Sequence, residues 1–102
     1  MRIELHAEAI RELDDAAHWY EAQRPGLGTA FLREVSRAFD VVAENPRMWS
    51  IWPGWRARPQ VRRFILNRFP FSIAYIAWRQ RVLILAVAHG RRRPGYWRAR
   101  VP

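Results

Sequence analysis

Between Val61 and His89 three short apolar segments follow one another with almost no chain between them: Val61–Leu66, Phe71–Trp78 and Val82–His89. The connections, Asn67–Pro70 and Arg79–Arg81, are too short for a crossover, and strands joined so closely pair antiparallel. A three-strand meander is therefore predicted, and the N-terminal half must pack on it. The last segment, VLILAVAH, is an unbroken apolar run rich in β-branched residues and too short for a lone helix, which reads as a strand buried on both faces. In the middle segment Phe71, Ile73, Tyr75 and Ala77 share one face and Ser72, Ala74, Ile76 and Trp78 the other, so neither face is polar. The helices below can cover one face. A partner or a second copy of the chain is expected to cover the other.

Ahead of the meander, Arg2–Leu5 alternates and reads as an edge strand. From Ala7 to Gln23 the apolar positions Ile10, Leu13, Ala17 and Tyr20 recur at steps of three and four, the pattern of an amphipathic helix. Arg24, Pro25 and Gly26 stop it. A second helix is predicted from Leu27 to Asn45, with Leu27, Phe31, Val35, Ala38, Phe39 and Val42 as its apolar stripe and Pro46 closing its end. The interruption is short enough for a helical hairpin. The predicted fold is α+β in one domain, residues 1–102: an N-terminal strand, a helical hairpin, and a small, mainly antiparallel sheet. In NPRMWSIWPGWRARP, Trp49, Trp52 and Trp55 are spaced by three between prolines, which is no helix face. Their rings are expected to fold back individually over the core edge. The alternative is an aromatic surface for a partner.

Charge is distributed unevenly along the chain. All nine acidic residues precede position 45, alongside five arginines, whereas the remaining 58 residues hold thirteen arginines and no acid. The net charge of +9 is thus a local −4 followed by +13, a polarity suited to polyanions or acidic proteins. No lysine occurs, so no amine can act as base or Schiff-base nucleophile. Cysteine is absent too, which removes disulfides, thiolate catalysis and thiolate metal sites. With His6, His18 and His89 far apart, neither a metal nor a cofactor is expected. The sequence carries no apolar run of membrane-spanning length and no secretory leader, so a cytoplasmic location is expected.

The segment after the last strand, HGRRRPGYWRAR, interleaves arginines with aromatic rings, a composition suited to phosphate and base contact. Together with the helix pattern AEAIRELDDAAHWYEAQRPGLGTAFL, the ENP that closes the second helix and the RFPFSIAY that opens the middle strand, it resembles the RelE/ParE superfamily of type II toxins. The resemblance implies the fold just read, an acidic cognate antitoxin as partner, and no cofactor. It also implies one of two targets. RelE-like members cut messenger RNA on the ribosome, which requires a proton acceptor, a proton donor and cations around the phosphate. ParE-like members poison DNA gyrase without cutting anything themselves.

For RNA cutting, the resemblance points to Arg62, Arg63, His89, Arg91, Arg92 and Tyr96, with Arg68 as a further strand cation, but the superfamily's lysines have no counterpart here. His89 is the residue that could replace a lost base, since its ordinary pKa lies near neutrality. The string HGRRRPGYW is more ParE-like, which favours gyrase and makes Arg91, Arg92, Arg93, Tyr96, Trp97 and Arg98 a target-contact surface. Trp49, Trp52, Trp55, Arg62 and Arg79 are the expected antitoxin contacts. Outside the toxin class, the composition also fits a harmless arginine-rich nucleic-acid-binding module.

Overall fold

The computed structural model describes residues 1–102. The elements run β1 (Arg2–Leu5), α1 (Ala7–Gln23), α2 (Leu27–Glu44), β2 (Arg62–Ile65), β3 (Phe71–Trp78) and β4 (Arg81–His89), followed by a single 3₁₀ turn at Arg98–Arg100. One sheet holds all four strands in the order β1-β4-β3-β2. The meander is antiparallel as expected, while β1 pairs parallel to β4 from Arg2↔Arg81 to Leu5↔Ile84. The helical hairpin supplies the crossover that this parallel pair needs.

Local chemistry sets the helix ends. The His6 ring accepts the Glu8 N–H at 3.1 Å and opens α1. The sharp stop at Arg24–Gly26 starts α2 with Gly26 in the left-handed region, φ 88°. No side chain of α2 itself caps that start. Glu21 does so from α1, accepting the Gly26 N–H at 2.8 Å and the Gly28 N–H at 3.0 Å. These backbone donors, Gly26 first, hold its carboxyl below the usual range. At Gly28 the helices approach so closely that a Cβ would stand 2.5 Å from the Ala17 carbonyl oxygen. A glycine is required there by space.

Two cores result. Phe31, Val35, Ala38 and Val42 of α2 and Ala9 of α1 pack with Ile73, Tyr75, Val82, Ile84 and Val87 on the helix side of the sheet. Val61, Ala74, Ile76, Leu85, Ala86, Ala88 and Trp97 form the other core, on the face expected to await a partner. The chain covers much of this second face itself, with Trp52, Trp55, Tyr96 and Val101 closing over it, while Trp78 at its far end stays 49% exposed. The alternation of β4 is broken to make it. Register slips between Ala74 and Tyr75, which pair with Ala86 and Ile84, so Leu85 bulges and joins Ala86 in the second core.

The three tryptophans of the long connection divide between these cores. Trp49 meets Phe64 edge-on at 4.7 Å on the helix side, while Trp52 and Trp55 lie 5.0 and 5.5 Å from Trp97 on the other. They fold back individually, as the spacing suggested. Residues 50–52 also shield the outer edge of β2, through Arg63 N–H to Ser50 O and Trp52 N–H to Val61 O, both 2.8 Å. No helix is long and apolar enough to cross a membrane.

Candidate functional site: a basic tail clamped to the sheet edge

Beyond Leu5, strand β1 no longer accompanies β4, so the second half of β4 has an outer edge without a strand neighbour. Side chains take its place. The Glu12 carboxylate, on α1, accepts the Val87 N–H at 3.0 Å, and the Arg100 guanidinium donates to the Leu85 carbonyl at 3.0 Å. Arg100 and Glu12 also pair with each other in a fork, at 2.9 and 3.0 Å. The Tyr96 hydroxyl donates to Glu12 at 2.5 Å, and Arg92 reaches the same carboxylate at 3.4 Å while lying 3.6 Å above the Tyr96 ring. One acidic residue thus gathers three tail residues and a strand amide. The side chains of Glu12 and Arg100 are only 13% and 14% exposed, so the pair is shielded from water and salt.

This arrangement decides which groups are free. Burial first, and the hydrogen bond and charge of Glu12 next, push the Tyr96 hydroxyl well above the usual tyrosine range, so it stays protonated and committed to Glu12. Burial lowers Arg100 and the Glu12 hydrogen bond raises it, and the net direction is upward, so its charge is permanent. His89 accepts the Arg91 backbone N–H at Nδ1, 3.0 Å away. The ring hydrogen therefore sits on Nε2, which presents a donor and not a base.

Of the residues proposed for RNA cutting, Arg63, His89, Arg92 and Tyr96 line one concave pocket of 150 Å³, together with Ser72 and Arg93. Arg91 is exposed beside it. Arg62 is elsewhere: its guanidinium donates to the Trp49 carbonyl at 2.7 Å and to Gln60 at 3.2 Å, securing the long connection. Arg68 lies over the Phe69 ring, in the loop that Glu34 fastens by accepting the Asn67 and Arg68 N–H groups.

Of the expected target surface, Arg91, Arg92, Arg93 and Arg98 are exposed, Tyr96 is half-buried, and Trp97 is 1% exposed. Trp97 is corrected from contact residue to core residue, because its ring is what Trp52 and Trp55 pack against. Among the expected antitoxin contacts, Trp49, Trp52 and Trp55 are half-buried with their rings engaged in the two cores, and Arg62 is held by the backbone. Arg79 is available. It sits in the β3–β4 turn over the ring of Trp78, which is 49% exposed, at the far end of the sheet from His89.

Sequence reasoning missed Glu12. Its partners lie 75 to 88 residues away, and on the helix wheel it looks like any solvent-facing acid. The only signal was the parity of acids on the first helix and arginines in the tail.

Fold and site together define a small α+β protein that displays a rigidly held arginine surface. The family described as "ParE toxin of type II toxin-antitoxin system, parDE" matches residues 3–94, and the chain belongs to that family, as the toxin component of such a system. Among solved structures, a chain titled "Chromosomal ParDE TA system from P. aeruginosa" shares the fold with a TM-score of 0.73 and 19% identity, over 87% of this chain and 95% of that one. No curated protein matches the sequence. The α+β fold expected from the sequence, and its RelE/ParE character with the ParE-like branch preferred, stand on these matches.

Proposed function

We propose that this toxin arrests growth by binding and poisoning DNA gyrase, that it does no chemistry of its own, and that an acidic cognate antitoxin neutralises it. The carrying observation is the commitment of both proton-handling groups. Tyr96 spends its hydroxyl hydrogen on Glu12, and His89 spends its Nδ1 lone pair on the Arg91 amide. Cutting RNA through the ribose 2′-hydroxyl needs a group to take a proton and another to give one, and neither residue is poised for it. No lysine is present to substitute. What remains exposed is a rigid cationic surface, Arg91, Arg92, Arg93 and Arg98, suited to contact with gyrase or the DNA it holds.

The RNA-cutting reading keeps one observation in its favour, the gathering of Arg63, His89, Arg92 and Tyr96 around a single pocket. For the antitoxin, the thirteen arginines after position 45 favour an acidic chain, and Arg79 on Trp78 offers an exposed cationic and aromatic anchor. The test in cells is to induce the toxin alone and pulse-label DNA and protein synthesis separately. DNA synthesis falling first, with a DNA-damage response, is expected. An immediate fall in protein synthesis, lost on changing Tyr96 to Phe, reverses the assignment.

A further inference from the structure

The pocket beside His89 has a donor set that the clamp does not use. Arg92 and Tyr96 on its wall are already engaged with Glu12, but Arg63 from β2 and Arg93 from the tail carry no ion pair, and Ser72 of β3 adds a hydroxyl. The His89 ring turns to the helix side of the sheet, edge-on to Phe71 at 5.0 Å, and is not part of this set. No carboxylate lines the cavity. Cationic and neutral donors thus arrive from β2, β3 and the tail, on a rigid sheet and a clamped loop.

We propose that this pocket is a binding site for a phosphate group of a nucleic-acid backbone. A planar carboxylate is satisfied by a single guanidinium fork, whereas donors converging from several directions suit the tetrahedral oxygens of a phosphate. A polymer fits better than a free anion because the pocket opens among the exposed Arg91, Arg92 and Arg93, so phosphates on either side of the seated one meet further cations. Because Tyr96 and His89 are committed as described, the site holds the phosphate and does not cleave it. The inference stands whichever macromolecule the toxin acts on, and its failure leaves the gyrase reading intact.

The test uses the full chain freed of its antitoxin, titrated against a short fluorescein-labelled DNA duplex and the matching single strand over a series of salt concentrations. Each phosphate contact adds about 0.9 to the salt slope, so Arg63→Gln and Arg93→Gln should each weaken binding about eightfold near 0.1 M salt and lower the slope by about one. Arg33→Gln removes the same charge from the exposed side of α2, on the other face of the sheet, and should change affinity less than about twofold. Inorganic phosphate and polyglutamate serve as competitors. Equal effects of all three substitutions would mean that binding is diffuse charge, and would overturn the site. Inorganic phosphate competing as strongly as unlabelled duplex would make it a free-anion pocket. Polyglutamate binding more tightly than DNA, and weakened by Arg63→Gln, would assign it to an acidic protein segment instead.

Discussion

Replacing Glu12 by Gln should loosen the tail and cost far more stability than a surface substitution on an amphipathic helix. The amide keeps the shape and one acceptor, but it removes the charge that faces Arg100, whose side chain is 14% exposed, and weakens the bonds from Tyr96 and the Val87 amide. Breaking a buried ion pair by removing one partner costs about 3–5 kcal/mol. Arg100 retains the Leu85 carbonyl and the Tyr96 ring, 5.2 Å away, so a cost just below that range, about 2–3 kcal/mol, is expected here. In a domain of this size that lowers Tm by roughly 10–20 °C. Urea unfolding of Glu12→Gln, Arg100→Met and the double variant measures the coupling directly, and at least about 1.5 kcal/mol is expected from groups sharing two hydrogen bonds. Additivity within about 0.5 kcal/mol would refute the clamp as an energetic unit.

Other consequences follow from the packing and the ionisations. Gly28→Ala should destabilise by about 1–2 kcal/mol in urea, although alanine in a helix ordinarily gains about 1 kcal/mol over glycine, because its Cβ would collide with the Ala17 carbonyl; a stabilised variant would disprove the close approach. All three tyrosines should resist ionisation: burial raises Tyr20, raises Tyr75 to about 12 against the pull of Arg62, and raises Tyr96 further with the help of Glu12. A tyrosine whose folded pKa lies above its unfolded value stabilises fully below pH ~10, and that contribution is lost as pH rises through the folded value. Native protein should therefore show a smaller tyrosinate absorbance step near pH ~10 than urea-unfolded protein, and a native step of full size contradicts the burial of the ring hydroxyls. Glu21 has the opposite sign, so the anchoring of the α2 start should weaken as pH falls through the carboxylate range, read as earlier exchange of the Gly26 and Gly28 amides in acid.

The parts of this molecule that were legible in the sequence are those set by local period. The helix stripes and the strand alternation placed α1, β1 and β3 at their observed limits, because the pattern within each segment and the breakers beside it set its length. The meander's antiparallel pairing followed from connection length alone. What escaped was what long-range closure decides. Nothing local in VLILAVAH reveals the bulge at Leu85, which depends on the register with β3. The burial of Trp97 was hidden for a similar reason: a tryptophan among arginines reads as a contact residue until Trp52 and Trp55, from a connection more than forty residues earlier, are found packed around it. The charge polarity also misled in part. Along the chain the acids and bases separate, but in space Glu12 neutralises part of the tail and Glu4 pairs with Arg81, so the open cations are fewer and more localised than the sum of +13 implied.

The most direct measurement of the central claim is a pair of reactions with the purified chain. One contains gyrase, relaxed plasmid and ATP. The other contains ribosomes programmed with a defined messenger RNA. A toxin that binds without cutting should stop supercoiling and trap gyrase covalently on cleaved DNA, and should leave the messenger intact. Codon-positioned cleavage of the messenger with gyrase unaffected would contradict that account and return His89 and Tyr96 to a catalytic role.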